Sequence, residues 1–162
     1  MRIIAIDPGT THSGYIEIDG NGRIIHTDKE VPNAEVLETM RCLPAGVRVA
    51  IEMMSFQGPS RMVGAETFET CVWIGRFEEA AHPCKTALVT RSAVLKALAA
   101  KNDSQVAFAL RELYGGQKTA VGTKKAPGPL YGVSGHAWQA LAVGVVYLMG
   151  LDPAWTPEGV GA

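Results

Sequence analysis

Residues 2–7, Arg-Ile-Ile-Ala-Ile-Asp, form an apolar run that stops on a carboxylate, and Pro8-Gly9-Thr10-Thr11 follow with a turn too tight for bulk. A second run, Val47-Arg48-Val49-Ala50-Ile51, stops in the same way on Glu52, and a polar pair, His136 and Gln139, opens a late apolar helix. Four side chains able to ligate a cation therefore stand at element ends. Phosphate-handling metal sites commonly begin like this.

Period and turn signals supply the rest of the organisation. Gly14–Ile18 alternates as a half-exposed strand, Asp19-Gly20-Asn21-Gly22 is a hairpin turn, and Arg23–His26 makes a third strand. Asn33 is placed to cap a helix carrying Val36, Leu37, Met40 and Leu43, which Pro44 and Gly46 end before the strand that reaches Glu52. A long helix is predicted between Gly58 and Ala81, with Met62, Phe68, Val72, Trp73 and Phe77 as its large apolar residues. Thr86–Val89 reads as a fifth strand. Thr90 and then Asn102 or Asp103 cap two further helices, and Ser134 caps the last one. Between Gly115 and Gly135, rich in Gly, Pro and Lys, no period is sustained, which predicts a loop.

With 162 residues, 47% of them apolar, the chain has material for one core and is short for two. The expectation is a single domain over residues 1–151 and a flexible tail over 152–162. No run of eighteen apolar residues and no cleavable leader is recognisable, so a cytoplasmic or nucleoid-associated location is expected. Cys42, Cys71 and Cys84 are odd in number and never spaced C-x-x-C, which predicts buried free thiols.

The net charge of −1 hides an asymmetry: residues 1–84 carry −5, residues 85–131 carry +6 and residues 132–162 carry −2. A basic segment of this size is either a solvated helical face or the footprint of a polyanion, and charge alone does not choose.

Three strands, a helix, a strand, a helix, a strand and then helices give a mixed sheet with crossovers. The stretches I-A-I-D-P-G-T (4–10), V-A-I-E (49–52), S-Q-V (104–106) and H-A-W-Q-A-L-A-V (136–143) resemble the RuvC family of Holliday-junction resolvases. The segments at 66–77 and 127–138 look more like its phage-encoded branch, which suggests a phage or prophage origin.

That resemblance implies an α/β fold, the ribonuclease H-like mixed five-stranded sheet with helices on both faces. It also implies a homodimeric, metal-dependent endonuclease that resolves four-way DNA junctions by paired symmetric nicks, a crossover junction endodeoxyribonuclease. The implied catalytic and metal-binding residues are Asp7, Glu52, His136 and Gln139, holding two Mg²⁺ or Mn²⁺ ions about 3.5–4 Å apart, one for the attacking water and one for the leaving oxygen.

Three residues apart, His136 and Gln139 project from one helical face. Gln139 departs from the family pattern, which has a carboxylate there, so the second ion should bind weakly. Asp103 departs as well, standing where many relatives carry lysine before S-Q-V, and Lys101 is the candidate replacement. Lys85, Arg91, Lys96, Lys101, Lys118, Lys124 and Lys125 are the DNA-backbone candidates. Phe56 is a candidate wedge between base steps, with core packing as its alternative. The helix around Phe68–Phe77 is either the dimer interface or ordinary core.

Two other readings compete. One is a junction- or branched-DNA-binding protein that cuts weakly or not at all because residue 139 is Gln. The other takes D-P-G-T-T as the first phosphate loop of an actin-like or sugar-kinase ATPase, whose two lobes a chain of this length has no room for.

Overall fold

Strand β1 (Arg2–Pro8) lies in the middle of a five-stranded sheet, which explains its apolar run: Ile3, Ile4, Ala5 and Ile6 are fully buried, on both faces. The computed structural model describes residues 1–55 and 64–158. β1 pairs antiparallel with β2 (His12–Asp19), which pairs antiparallel with β3 (Ile24–Pro32). On its other side β1 runs parallel to β4 (Arg48–Met53), and β4 parallel to β5 (Lys85–Thr90), giving the order β3-β2-β1-β4-β5.

Five helices complete the described chain: α1 (Asn33–Arg41), α2 (Ala65–Ala80), α3 (Arg91–Ala97), α4 (Asp103–Leu113) and α5 (Ala137–Leu151). Ile3, Ala5, Ile16, Ile18 and Ala50 face a core built with α3, α4 and α5, whereas Ile4, Ile6, Val49 and Ile51 face a second core with Val36, Met40, Ile74 and Phe77 of α1 and α2. Each such isoleucine contributes about 1.5–3 kcal/mol by leaving water. Helix α5 lies so close to the sheet that a Cβ on Gly144 would stand 2.9 Å from Ile18 and 3.1 Å from Ala5.

Several local expectations are corrected. β2 is not half-exposed. Glu17 is buried within it, where Arg2 donates to Oε2 (3.0 and 2.6 Å) and the Tyr15 hydroxyl to Oε1 (2.6 Å), so the carboxylate is paired rather than solvated. β3 runs to Pro32 rather than His26, because ladder bonds from β2 hold a polar edge strand that its own sequence does not announce. Asn33 is the first residue of α1, not its cap. Its Oδ1 accepts from Ser13 Oγ (2.7 Å) and its Nδ2 donates to the Gly9 carbonyl (3.0 Å), tying the turn after β1 to β2.

In α2 the buried positions are Thr70, Ile74, Phe77 and Ala80, while Phe68 and Val72 face outward. Met62 lies outside the described residues. The cysteines are free, but Cys42 is exposed and Cys71 and Cys84 are half-buried.

Thr90 and Asn102 do cap α3 and α4, accepting from Ala93 N and Gln105 N. Ser134 does not cap α5. His136 holds the cap position, and a turn from Ser134 already runs into the helix. The 115–135 stretch has no helix or strand, yet Ala120 and Leu130 are fully buried and Leu130 N bonds the Ala120 carbonyl (2.7 Å), so the loop is pinned. Residues 152–158 fold back instead of trailing off. Trp155 Nε1 donates to the Gly20 carbonyl (2.9 Å) and Glu158 N to that of Asn21 (3.1 Å); residues 159–162 lie outside the described ones.

Candidate functional site

Parallel register sets the first pair. Ile6 of β1 faces Ile51 of β4, so Asp7 and Glu52 follow side by side where the two strands leave the core. Asp7 is also opposite Gly14 of β2, and a Cβ on Gly14 would lie 2.4 Å from the His136 carbonyl oxygen. The missing side chain lets the start of α5 close over the sheet end. His136 thereby reaches Asp7, with Nδ1 3.1 Å from Oδ2.

These residues line one cleft of about 410 Å³, together with the Pro8–Ser13 turn, Glu30, Arg91, Asp103 and Gln139. All four expected ligands, Asp7, Glu52, His136 and Gln139, are thus brought together. A neighbouring cleft of about 510 Å³ shares Asp103, His136 and Gln139 and adds Ser104, Arg111 and Trp138, with the Arg111 guanidinium 4.8 Å above the indole.

Burial governs the electrostatics. Loss of water raises the proton affinity of Asp7 above the ordinary carboxylate range, partly offset by hydrogen bonds with His136 and Glu52 and by nearby positive charge. Glu52 is raised for the same first reason and further by the charge of Asp7, against the opposing pull of Arg91. Two carboxylates that would rather hold a proton than stand charged together are a suitable donor pair for a hard cation, and the residues fit one such ion. Among the described residues no three His, Cys, Asp or Glu side chains are arranged to hold a metal. His136 is engaged with Asp7, and Asp103 with Arg91.

Arg91 was expected on the DNA backbone, and the structure turns it inward. Its Nη1 donates to Gln139 Oε1 (2.7 Å), its Nη2 pairs with Asp103, and its Nε stands 3.8 Å from Glu52 Oε1. Of the other basic candidates, none lines the cleft. Lys96, Lys101, Lys118, Lys124 and Lys125 are exposed and form no ion pair among the described residues. Lys85 pairs in register with Arg48, at the far end of the parallel strands from Glu52. Phe56 lies outside the described residues.

Sequence reasoning passed over the part that Gly14, Ser13, Asn33 and Asp103 play in shaping the site. A glycine inside a strand pattern signals close backbone approach, and that signal was available for Gly14. Nothing local marks the pairing of Asp103 with Arg91, because they stand twelve positions apart with the rest of α3 between them in the chain.

RuvC of Thermus thermophilus is similar along nearly the whole chain: TM-score 0.62 and 23% identity over 97% of this chain and 99% of that one. T. thermophilus RuvC in complex with a Holliday junction substrate gives a TM-score of 0.63 and 22% identity with the same coverage. No protein-family model and no curated protein matches the chain. The fold is the ribonuclease H-like fold of RuvC, a mixed five-stranded sheet with helices on both faces.

Proposed function

We propose that the chain is a RuvC-type, divalent-metal-dependent endonuclease that nicks four-way DNA junctions at paired symmetric sites. The observation that carries this reading is the Asp7–Glu52 pair at adjacent strand ends, Glu52 buried and Asp7 half-buried with His136 on it, in a fold shared with a RuvC whose structure holds a Holliday junction substrate.

Asp7 and Glu52 would hold Mg²⁺ or Mn²⁺, beside Gln139 Oε1, which accepts from Arg91. Bound there, the ion supplies positive charge for the phosphate as it is attacked. With Asp7 ionised, Nδ1–H of His136 donates to it and leaves Nε2 on the exposed side without a proton. Nε2 is then the base for the attacking water. As the water oxygen bonds phosphorus and its proton passes to Nε2, the bond from phosphorus to the departing sugar oxygen breaks, and that oxygen takes a proton from solvent.

Lys118, Lys124 and Lys125, displayed by a pinned loop, supply backbone contacts that hold the duplex without reading sequence. Two cuts related by symmetry call for a homodimer. Phe68 and Val72, one turn apart and outward on α2, are the surface favoured for it. A phage-type origin and a nucleoid-associated, cytoplasmic setting belong to the same reading.

A second reading has one observation in its favour: Gln139 carries no charge and is already held by Arg91. It takes the chain as a junction binder that cuts weakly.

The test is a synthetic four-way junction incubated in Mg²⁺ and in Mn²⁺. Paired symmetric nicks support the nuclease. Junction-selective binding without nicks in either metal leaves the binder, and equal affinity for junction and linear duplex together with no nicks removes both.

A further inference from the structure

Resting on that nuclease reading, we infer that the guanidinium of Arg91 is the fixed second cation of the cleft, so that the centre takes one divalent ion rather than two.

The Arg91 guanidinium is held by three partners on three elements. Thr90 caps α3 by accepting from Ala93 N, which fixes where the first helical residue stands. From there the guanidinium reaches the first turn of α5 at Gln139, the first residue of α4 at Asp103 and the end of β4 at Glu52. Its side chain is only 18% exposed, whereas its partner Asp103 is 70% exposed. The arginine is therefore part of the cleft wall, and Asp103 comes to it from the solvent side.

Charge balance points the same way. Around Arg91, Asp7, Glu52 and Asp103 bring three negative charges when ionised, which one divalent ion and one guanidinium match; Glu30, exposed on β3 at the rim of the cleft, adds a fourth that water screens. Two divalent ions beside Arg91 would leave an excess of two positive charges in a site partly shielded from water, where like charges repel strongly.

The two departures from the resolvase pattern also become one arrangement. An aspartate at 103 anchors the guanidinium, and an uncharged amide oxygen at 139 accepts from it without needing a metal. Arginine keeps its charge at every relevant pH, where a buried lysine can lose its proton, and unlike an ion it cannot diffuse away. A carboxylate at 139 would be claimed by Arg91 as a charge-assisted pair, so restoring the acid alone does not open the second position.

The test is Mn²⁺ stoichiometry on the full chain without DNA, by calorimetry and by electron paramagnetic resonance, with circular dichroism to follow folding. The unaltered chain, Arg91→Lys and Gln139→Asp should each bind one Mn²⁺. The double variant Arg91→Ala/Gln139→Asp should bind two, a doubling of the stoichiometry of Gln139→Asp alone. Arg91→Gln/Gln139→Asp, which keeps a polar filler, serves if the alanine form does not fold.

Two ions on the unaltered chain or on Gln139→Asp alone, or one ion on the folded double variant, overturns the role of Arg91 and leaves the nuclease reading standing. No Mn²⁺ on the unaltered chain, with no nicking, removes both.

Discussion

Arg91 donates from Nη1 to Oε1 of Gln139 across 2.7 Å, so the first residue of α3 holds the first turn of α5 at the cleft. This hydrogen bond sets the two helix ends against the carboxylates of the central strands. A consequence for each part of the site can be measured.

Asp7→Asn keeps the size of the side chain and removes the charge that both the cation and His136 use. Nicking of a four-way junction should fall by about a thousandfold, roughly 4 kcal/mol in the barrier. Junction binding in a gel-shift assay should change little. Cleavage within a few-fold of the unaltered chain would place the chemistry elsewhere.

Glu52 makes the metal-free protein sensitive to alkali. Burial and the charge of Asp7 push its carboxyl from 4.5 up to about 8, so the folded chain favours the protonated form. The stabilisation from this group is complete below about pH 4.5 and is lost as the pH climbs through about 8. Melting temperature should therefore fall between pH 5 and 8.5 relative to Glu52→Gln, which carries no such proton. Mn²⁺ should restore it at the upper end by taking the proton's place.

Gly14→Ala would put a Cβ 2.4 Å from the His136 carbonyl oxygen, against backbone that cannot move without shifting α5. A stability loss of about 1–3 kcal/mol in urea unfolding is expected from the overlap. Nicking should fall further than stability at a temperature where the variant remains folded, since His136 is displaced from Asp7. A variant as active as the unaltered chain would separate this close approach from function.

Lys124 and Lys125 sit exposed on the pinned loop with no carboxylate partner among the described residues. Replacing both with Ala should flatten the dependence of log affinity on log salt by about 0.9 for each phosphate that is no longer neutralised. The position of the nicks should stay the same. An unchanged slope would mean that the loop points away from DNA.

Where local signals agreed with global packing, the elements were legible. Asp19–Gly22 turns as its composition predicts, Thr90 and Asn102 cap their helices, and the small residues of α5 lie against β1 and β2. The misreadings fall where a partner distant in sequence overrides local preference. Asn33 has the chemistry of a cap but bonds Ser13 and Gly9, and the polar edge strand β3 extends because β2 supplies its ladder. Phe68 and Val72 look like core positions and are exposed, because the sheet meets α2 along the stripe of Ile74 and Phe77.

The chain alone determined its strands, most of its helices and the placing of Asp7, Glu52, His136 and Gln139 at element ends, since each is written in an apolar run that a ligand-type side chain begins or ends. Tertiary structure decided which charges those four would meet. Arg91 and Asp103 are separated by a helix in sequence and joined in space, and a guanidinium satisfies whichever acceptors the fold brings within reach. Hydrophobic period is a local property that a sequence displays. Electrostatic pairing depends on distance through space, which exists only once the sheet and α3, α4 and α5 have packed.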